Sequence, residues 1–421
     1  MKDIICDSYK LLLNTNSRDL LISFGSRGIV KFAQNNYLKN VEINQLHCID
    51  SDGSSWYQNG VKGMGDDIFS LAEHIKDLCN KYRFEKIFCI GASMGAYGAL
   101  ALGALLNAHK VIAISPQIVL HHGWPFAPKK NVILKLKSIK EIVESAHNTQ
   151  FIVITSSELI DVYHASIIHE LNNVHLSILQ SPHNVLKTFK RSSFLDEFLG
   201  NILTFNGVEE LGISSIKLKL SVSQKDLSNY LHLYYYEKNV KEAIPHLNRL
   251  VLRNPNWLDA QKALADIYFN EQEYSECLIL SMRLYEKLPN NLSILKNLLY
   301  IMSDQKFLSS NFHLLLERYL ILNYNINGIE VVETLLDLAD WATKMKNHQL
   351  SVHTRSILIN EYLVENFHNY YQLGRSFQNI KDLKQAQRCY LKVLELKSSI
   401  QANELWIISK SQERLDKLSS D

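Results

Sequence analysis

The chain has 421 residues, of which 46% are hydrophobic and 21% charged, with 45 Lys and Arg against 43 Asp and Glu for a formal net charge of +2. That balance excludes a nucleic-acid footprint and a polyacidic tail, and the length fits two domains better than one core. No stretch approaches the roughly 18 uninterrupted apolar residues that a membrane-spanning helix needs.

The first residues, Met1 to Asp7, carry acids early and lack a signal-type apolar run. The six cysteines (Cys6, Cys48, Cys79, Cys89, Cys277 and Cys389) are far apart, with no CxxC or metal-spaced pair, and read as reduced core thiols. A cytoplasmic protein with no metal site is the expectation.

In chain order, Leu20–Phe24 reads as a buried strand that ends in Gly25-Ser26-Arg27-Gly28. A helix follows over 66–82, with Ile68, Leu71, Ala72, Ile75 and Leu78 on one face. Lys86–Ile90 is the next strand, and 94–107 a helix of small residues. Strands at Val111–Ile114, Phe151–Ile154 and Val174–Leu179 complete the set. Strand-helix alternation of this kind predicts an α/β fold with a parallel sheet covered on both faces.

From about Leu227 strands give way to successive amphipathic helices. Pro255 and Pro289 lie 34 residues apart, and the same step relates Val240 to Tyr274, Ala243 to Cys277 and Leu250 to Leu284. Leu264-Ala265-Asp266-Ile267-Tyr268 and, more closely, Leu373-Gly374-Arg375-Ser376-Phe377 with Ala386, Tyr390 and Leu394 resemble the tetratricopeptide (TPR) pattern, whose unit is a helix-turn-helix of that length. Leu338-Ala339-Asp340-Trp341 fits an intermediate repeat. The expected division is a catalytic domain over 1–205, a linker over 206–224 and an all-α, TPR-like repeat domain over 225–421, suited to binding rather than chemistry.

Gly91-Ala92-Ser93-Met94-Gly95 lies directly after a strand and before a helix, the setting of a nucleophile elbow. It makes Ser93 the nucleophile. A serine hydroxyl needs a base, and in an elbow fold the partners follow in the order Ser, acid, His. His183, in the loop after the last strand, is the base; His175 lies inside that strand, and His164 and His169 on a predicted helix. Asp161, at a helix start after the preceding strand, is the acid, with Glu158 the alternative. The amides of Met94 and Gly25 are the expected oxyanion-hole donors. Arg27, in the same loop as Gly25, is either a steering charge for an anionic substrate or a solvated surface residue. Lys129, Lys130, Lys135, Lys137 and Lys140 read as a solvated face or loop, with attraction of an anionic ligand the alternative.

The elbow with Ala96-Tyr97, the later Ile114-Ser115-Pro116-Gln117 and the upstream Ser55-Trp56-Tyr57 together resemble α/β-hydrolase-fold proteins of bacterial surface-polysaccharide loci, including serine-dependent capsule O-acetyltransferases. The resemblance spans about residues 18–190. It implies acetyl transfer from acetyl-CoA, as a substrate with no bound cofactor, to a hydroxyl of a capsular or other surface polysaccharide. It also implies that Trp56, Tyr57 and Gln117 lie near the substrate mouth. The run from His121 to Phe126 departs from it; Trp124 there is either a sugar-stacking platform or a buried aromatic.

The same three residues with water as acceptor would make a carbohydrate esterase or deacetylase. A third possibility is an interaction scaffold that recruits protein partners through its repeats and carries an inert hydrolase half.

Overall fold

The computed structural model describes residues 3–28, 32, 37–304, 310–327, 329–396 and 404–420. The chain divides into two compact units, Met1–Ala260 and Gln261–Asp421. Among the described residues no helix is long and apolar enough to cross a membrane.

Among the described residues the first unit is organised by eight strands: β1 (Ile4–Ile5), β2 (Tyr9–Leu12), β3 (Leu20–Phe24), β4 (Asn44–Cys48), β5 (Ile87–Ala92), β6 (Lys110–Ile114), β7 (Gln150–Ser156) and β8 (Val174–Leu179). They form one sheet in the order β1-β2-β4-β3-β5-β6-β7-β8. β1 and β2 are antiparallel, and every pairing from β4 to β8 is parallel. This is the α/β-hydrolase arrangement, with β3 and β5 neighbours near the middle.

Alternation along the central strands builds a core on each face. Leu20, Ile22, Cys89, Val111, Ala113, Phe151 and Val153 face helices α1 (Ile68–Tyr82) and α2 (Met94–Leu105). Leu21, Phe88, Ile90, Ile112, Ile152 and Ile154 face α5 (Val185–Arg191) and α6 (Leu195–Gly200). Between them in sequence lie α3 (Lys140–Ser145) and α4 (Leu159–Ile168). α1 starts at Asp67, whose carboxylate accepts from the amides of Phe69 and Ser70 while Ser70 Oγ accepts from the Asp67 amide, a reciprocal capping box.

Three strands escape the hydrophobic pattern. β4 is buried at all five positions, yet reads Asn-Gln-Leu-His-Cys. Most of its polar groups find local partners: Asn44 Nδ2 donates to the carbonyls of Ser17 and Asp19, Gln45 Nε2 to those of Leu38 and Val41, and His47 Nδ1 lies 2.7 Å from Ser23 Oγ, while Gln45 Oε1 and His47 Nε2 are buried without one. β1 is a two-residue edge strand with Ile5 exposed, and β2, between β1 and β4, is half-buried except at the fully buried Leu11.

The helices over 220–257 belong to this unit as well. α7 (Leu220–Leu231) packs against α4 and runs directly into a π-helical stretch, His232–Glu237, before α8 (Val240–Arg253). Asp226 fastens α7 to α8, accepting from Arg249 (2.8 Å), Arg253 (2.6 Å) and His246 (2.8 Å). Trp257, fully buried, donates from Nε1 to the Ser157 carbonyl at 2.7 Å, and Gln180 Nε2 donates to Asp259.

Among the described residues the second unit is all helical, from α9 (Leu258–Asn270), which straddles the division, through α10 (Tyr274–Lys287), α11 (Leu292–Asp304), α12 (Ser310–Asn327), α13 (Val331–Lys344), α14 (His348–Asn360), α15 (Phe367–Asn379) and α16 (Leu383–Glu395) to α17 (Trp406–Ser420). Side-chain caps from Asn347, Asn366 and Asp382 begin α14, α15 and α16. The 34-residue step is visible as geometry: Val240 and Tyr274 open α8 and α10, and Ala243, Cys277, Leu250 and Leu284 are all fully buried. Leu338 and Ala339 are buried in α13, while Asp340 pairs with the buried Arg355 of α14.

Candidate active site

The site lies at the carboxyl ends of the parallel strands, where open α/β sheets present their loops. β5 ends at Ala92, and the chain turns sharply at Ser93 before α2 begins at Met94. Ser93 has φ 53° and ψ −120°, a left-handed conformation that an L-residue adopts only under constraint. The constraint is close packing. A Cβ on Gly91 would strike the Gly95 carbonyl oxygen, and a Cβ on Gly95 the Phe24 carbonyl oxygen at the end of β3. Both flanking glycines are therefore steric requirements of the turn.

Three side chains meet there. His183 Nε2 is 2.9 Å from Ser93 Oγ, and His183 Nδ1 is 2.9 Å from each carboxylate oxygen of Asp161. Asp161 is fully buried in the first turn of α4 and also accepts from Ser156 Oγ at 2.5 Å. A carboxylate only accepts, so the proton between it and His183 sits on Nδ1, which leaves Nε2 as the acceptor for the serine hydroxyl. The His183 side chain keeps 15% exposure and Asp161 none.

The loop that carries His183 is clamped along its backbone. Its amide donates to Glu158 Oε1 at 2.9 Å, and its carbonyl accepts from Ser115 Oγ at 2.9 Å. Asn184 then caps α5 by accepting from the Lys187 amide. Glu158 thus touches the histidine's main chain, whereas Asp161 touches its ring. Burial pushes the Glu158 carboxyl above its ordinary range; the His183 amide opposes this and the Asp161 charge adds to it.

The ring of Phe126 stacks on the His183 imidazole, with centroids 3.9 Å apart and planes 8° from parallel. Phe126 has φ 56°, again left-handed. Its segment is braced by Trp124, which lies 4.4 Å from His121 with the ring planes tilted by 31° and meets Tyr163 of α4 edge-on at 5.3 Å. Trp124 is half-buried, neither fully enclosed nor an open platform.

Other expected site residues sit elsewhere. The Gly25 amide donates to the Cys48 carbonyl at 2.9 Å, continuing the β3–β4 ladder, so it is not free to bind an oxyanion. The next amide, that of Ser26, has no partner among the described residues, and Ser26 shares a cavity wall with Ser93. Its hydroxyl is tied to the Ala92 carbonyl at 2.8 Å. Met94 begins α2, where helix geometry leaves its amide without an intrahelical acceptor.

Trp56, Tyr57 and Gln117 are buried to 1% exposure or less and do not line the mouth. Asp50 holds the turn, accepting from the Tyr57 amide at 2.6 Å and from Ser55 Oγ at 2.6 Å. Trp56 Nε1 then donates to Gln117 Oε1 at 2.9 Å, and Tyr57 Oη to the Gly25 carbonyl at 3.0 Å. These residues brace the loop under the site rather than meet a ligand. Arg27 is exposed, its guanidinium 5.9 Å from the Trp56 ring centroid.

Sequence reasoning passed over Phe126, Ser26 and Ser156. The aromatic density of His121–Phe126 was the one available signal for the first; the other two are small residues whose importance lies in contacts alone.

Beside Ser93 and His183 opens a cavity of about 510 Å³, walled by the ends of β3, β5 and β6 and by α5 and α6.

Residues 367–400, covering α15 and α16, match the tetratricopeptide repeat family. Among curated proteins none matches the chain. Among solved structures, a glycosylation-associated protein complex from Streptococcus agalactiae aligns at 14% identity over 45% of this chain and 43% of that one, with TM-score 0.33, so the chain spans less than half of that relative's length. A lipase-esterase related protein from Clostridium acetobutylicum aligns at 15% identity over 46% of this chain and 98% of that one, TM-score 0.33. The capsule O-acetyltransferase of Neisseria meningitidis serogroup A aligns at 12% identity over 48% and 94%, TM-score 0.34. At such identities the likeness concerns fold alone.

Proposed function

We propose that Ser93 carries an acyl group between a donor and an acceptor hydroxyl, with His183 as general base and acid and Asp161 as its orienting carboxylate. The observation that carries this reading is the unbroken chain of 2.9 Å contacts from Asp161 through His183 to Ser93, at a strained turn over the start of α2. His183 Nε2 takes the hydroxyl proton as Ser93 Oγ attacks the donor carbonyl. The amides of Met94 and Ser26 stabilise the resulting oxyanion. Collapse breaks the bond to the leaving group, which receives the proton from His183. An acceptor hydroxyl then enters by the reverse sequence, releasing the ester product and free Ser93.

In its finer form the donor is acetyl-CoA and the acceptor a hydroxyl of a bacterial surface polysaccharide, as the sequence resemblance implies. The TPR-like helices would hold that polymer or dock a protein partner, since stacked helix pairs form extended binding surfaces. Hydrolysis by the same residues is the second reading. It is favoured by the His183 side chain's residual exposure, which leaves a path for water.

The test is covalent labelling. A fluorophosphonate should modify Ser93 in the wild-type chain and nothing in Ser93→Ala. Labelled acetyl-CoA with a glycan panel should then give a labelled glycan if transfer is right, and labelled acetate alone if hydrolysis is. Modification of a different serine would remove the basis of both.

A further inference from the structure

The cavity beside Ser93 is far larger than an acetyl group requires. Its volume of about 510 Å³ lies within the ~300–1,000 Å³ range of ligand pockets, whereas a methyl group occupies on the order of one water's share of liquid volume, ~30 Å³. Its floor is mainly hydrocarbon: half-buried Leu186 of α5 offers side-chain surface, with Phe24, Leu38, Ile114, Val185 and Phe198, each at most 2% exposed, packed behind. Leu195 and Leu199 of α6 continue the wall, half-buried. Polar groups are confined to the reacting end, at Ser26, Ser93 and His183, and to an exposed rim that includes Asn184, Lys187 and Lys190.

That distribution selects among occupants. A sugar placed against the floor would strip its hydroxyls of hydrogen bonds, at a cost the lining cannot return. A pantetheine arm has the same difficulty with its two amides. A hydrocarbon chain has none. Because Ser93 itself forms part of the wall, a chain joined to its Oγ through an ester carbonyl enters the cavity without crossing another element.

We infer that this cavity is an acyl-chain subsite, and that the group carried on Ser93 extends beyond acetyl to straight acyl chains of about six to ten carbons. Acetyl is then the smallest member of the accepted class. The inference rests on the reading of Ser93 as the acylated residue. The lysine stems at the rim extend the apolar surface while their ammonium groups stay in water.

The experiment uses the full chain and p-nitrophenyl esters from acetate to dodecanoate. Rates (kcat/KM) should climb about four-fold per added methylene, the gain expected for burying each CH2, up to about octanoate, and then fall. Leu199→Trp should lower the octanoate-to-acetate rate ratio at least about ten-fold, while Leu199→Ala should move the optimum to longer chains. A maximum at acetate, or equal losses on both esters in Leu199→Trp, would overturn the subsite. So would a dependence on chain length in octyl acetate but not in ethyl octanoate, which would place the leaving group there. If no ester turns over and a fluorophosphonate leaves Ser93 unmodified, the reading of Ser93 fails first. The cavity is then judged by displacement of a fluorescent fatty acid from Ser93→Ala: octanoate binding at least about ten-fold tighter than butyrate upholds it, and equal or absent binding overturns it.

Discussion

Replacing Asp161 with Asn separates the two acids that the sequence leaves open. In the native site both carboxylate oxygens lie 2.9 Å from His183 Nδ1, and Ser156 Oγ already donates to one of them. In Asp161→Asn the side chain has one acceptor and one donor. Ser156 holds the acceptor, so the amide N–H faces Nδ1 and drives the imidazole proton to Nε2. That nitrogen can then no longer accept from Ser93, and the stabilisation of a forming imidazolium is lost as well. The loss expected is about ten-thousand-fold in kcat, as in the Asp-to-Asn change of the serine-protease triad, or about 5.5 kcal/mol at 1.36 kcal/mol per decade. Glu158→Gln keeps an oxygen able to accept the His183 amide and touches no ring atom, so it should cost less than about ten-fold. Both variants are compared by single-turnover release of p-nitrophenol at pH 8, with fold checked by circular dichroism. If Asp161→Asn stays within ten-fold of wild type while Glu158→Gln is crippled, the reasoning is refuted.

Phe126→Ala should lower kcat about ten- to a hundred-fold with little change in KM, because the imidazole loses the ring that fixes its plane. Phe126→Tyr should retain most activity, and an alanine variant as fast as wild type would deny the stack any part in positioning. His164, held neutral with its pKa lowered to about 3 chiefly by burial, accepts the Ile118 amide at Nδ1. The unfolded chain protonates this group near 6.5, so its share of stability is intact above that pH and drains away as pH falls toward about 3, by up to about 1.4 kcal/mol per unit. Urea midpoints from pH 7 to 4 should show the slope, and His164→Asn should flatten it; an unchanged slope would assign the acid sensitivity elsewhere. A chain ending at Ala260 should still cleave a small activated ester, whereas one ending near residue 215 loses Trp257 and the Asp226 clasp and should unfold at lower temperature. Equal melting temperatures for the two would count against α7 and α8 as part of the first unit.

Much of the site was legible because it is local or ordered along the chain. A strand, Gly-x-Ser-x-Gly and a small-residue helix in immediate succession leave the backbone few ways to turn, and the turn exposes Ser93. The positions of Asp161 and His183 after consecutive strands follow from the sheet's regular alternation, which brings successive strand ends to one edge. The paired buried positions of α8 and α10 follow from the 34-residue step for the same reason.

What the sequence could not determine was which polar groups the tertiary structure consumes. Gly25 and Ser26 are adjacent loop residues until β3 pairs with β4, and that register spends the Gly25 amide on Cys48 and leaves the Ser26 amide. Trp56, Tyr57 and Gln117 have the chemistry of a sugar site, but Asp50 folds their turn beneath the loop, and their polar atoms pair with one another and with backbone. β4 was hidden because its partners in burial are carbonyls of neighbouring loops, and no hydrophobic period announces a buried Asn or Gln. Phe126 meets His183 across a long stretch of chain, through a loop held by Trp124 and Tyr163. Periodicity reports which face of an element is buried, and the pairing of distant segments decides what each buried or exposed group is left free to do.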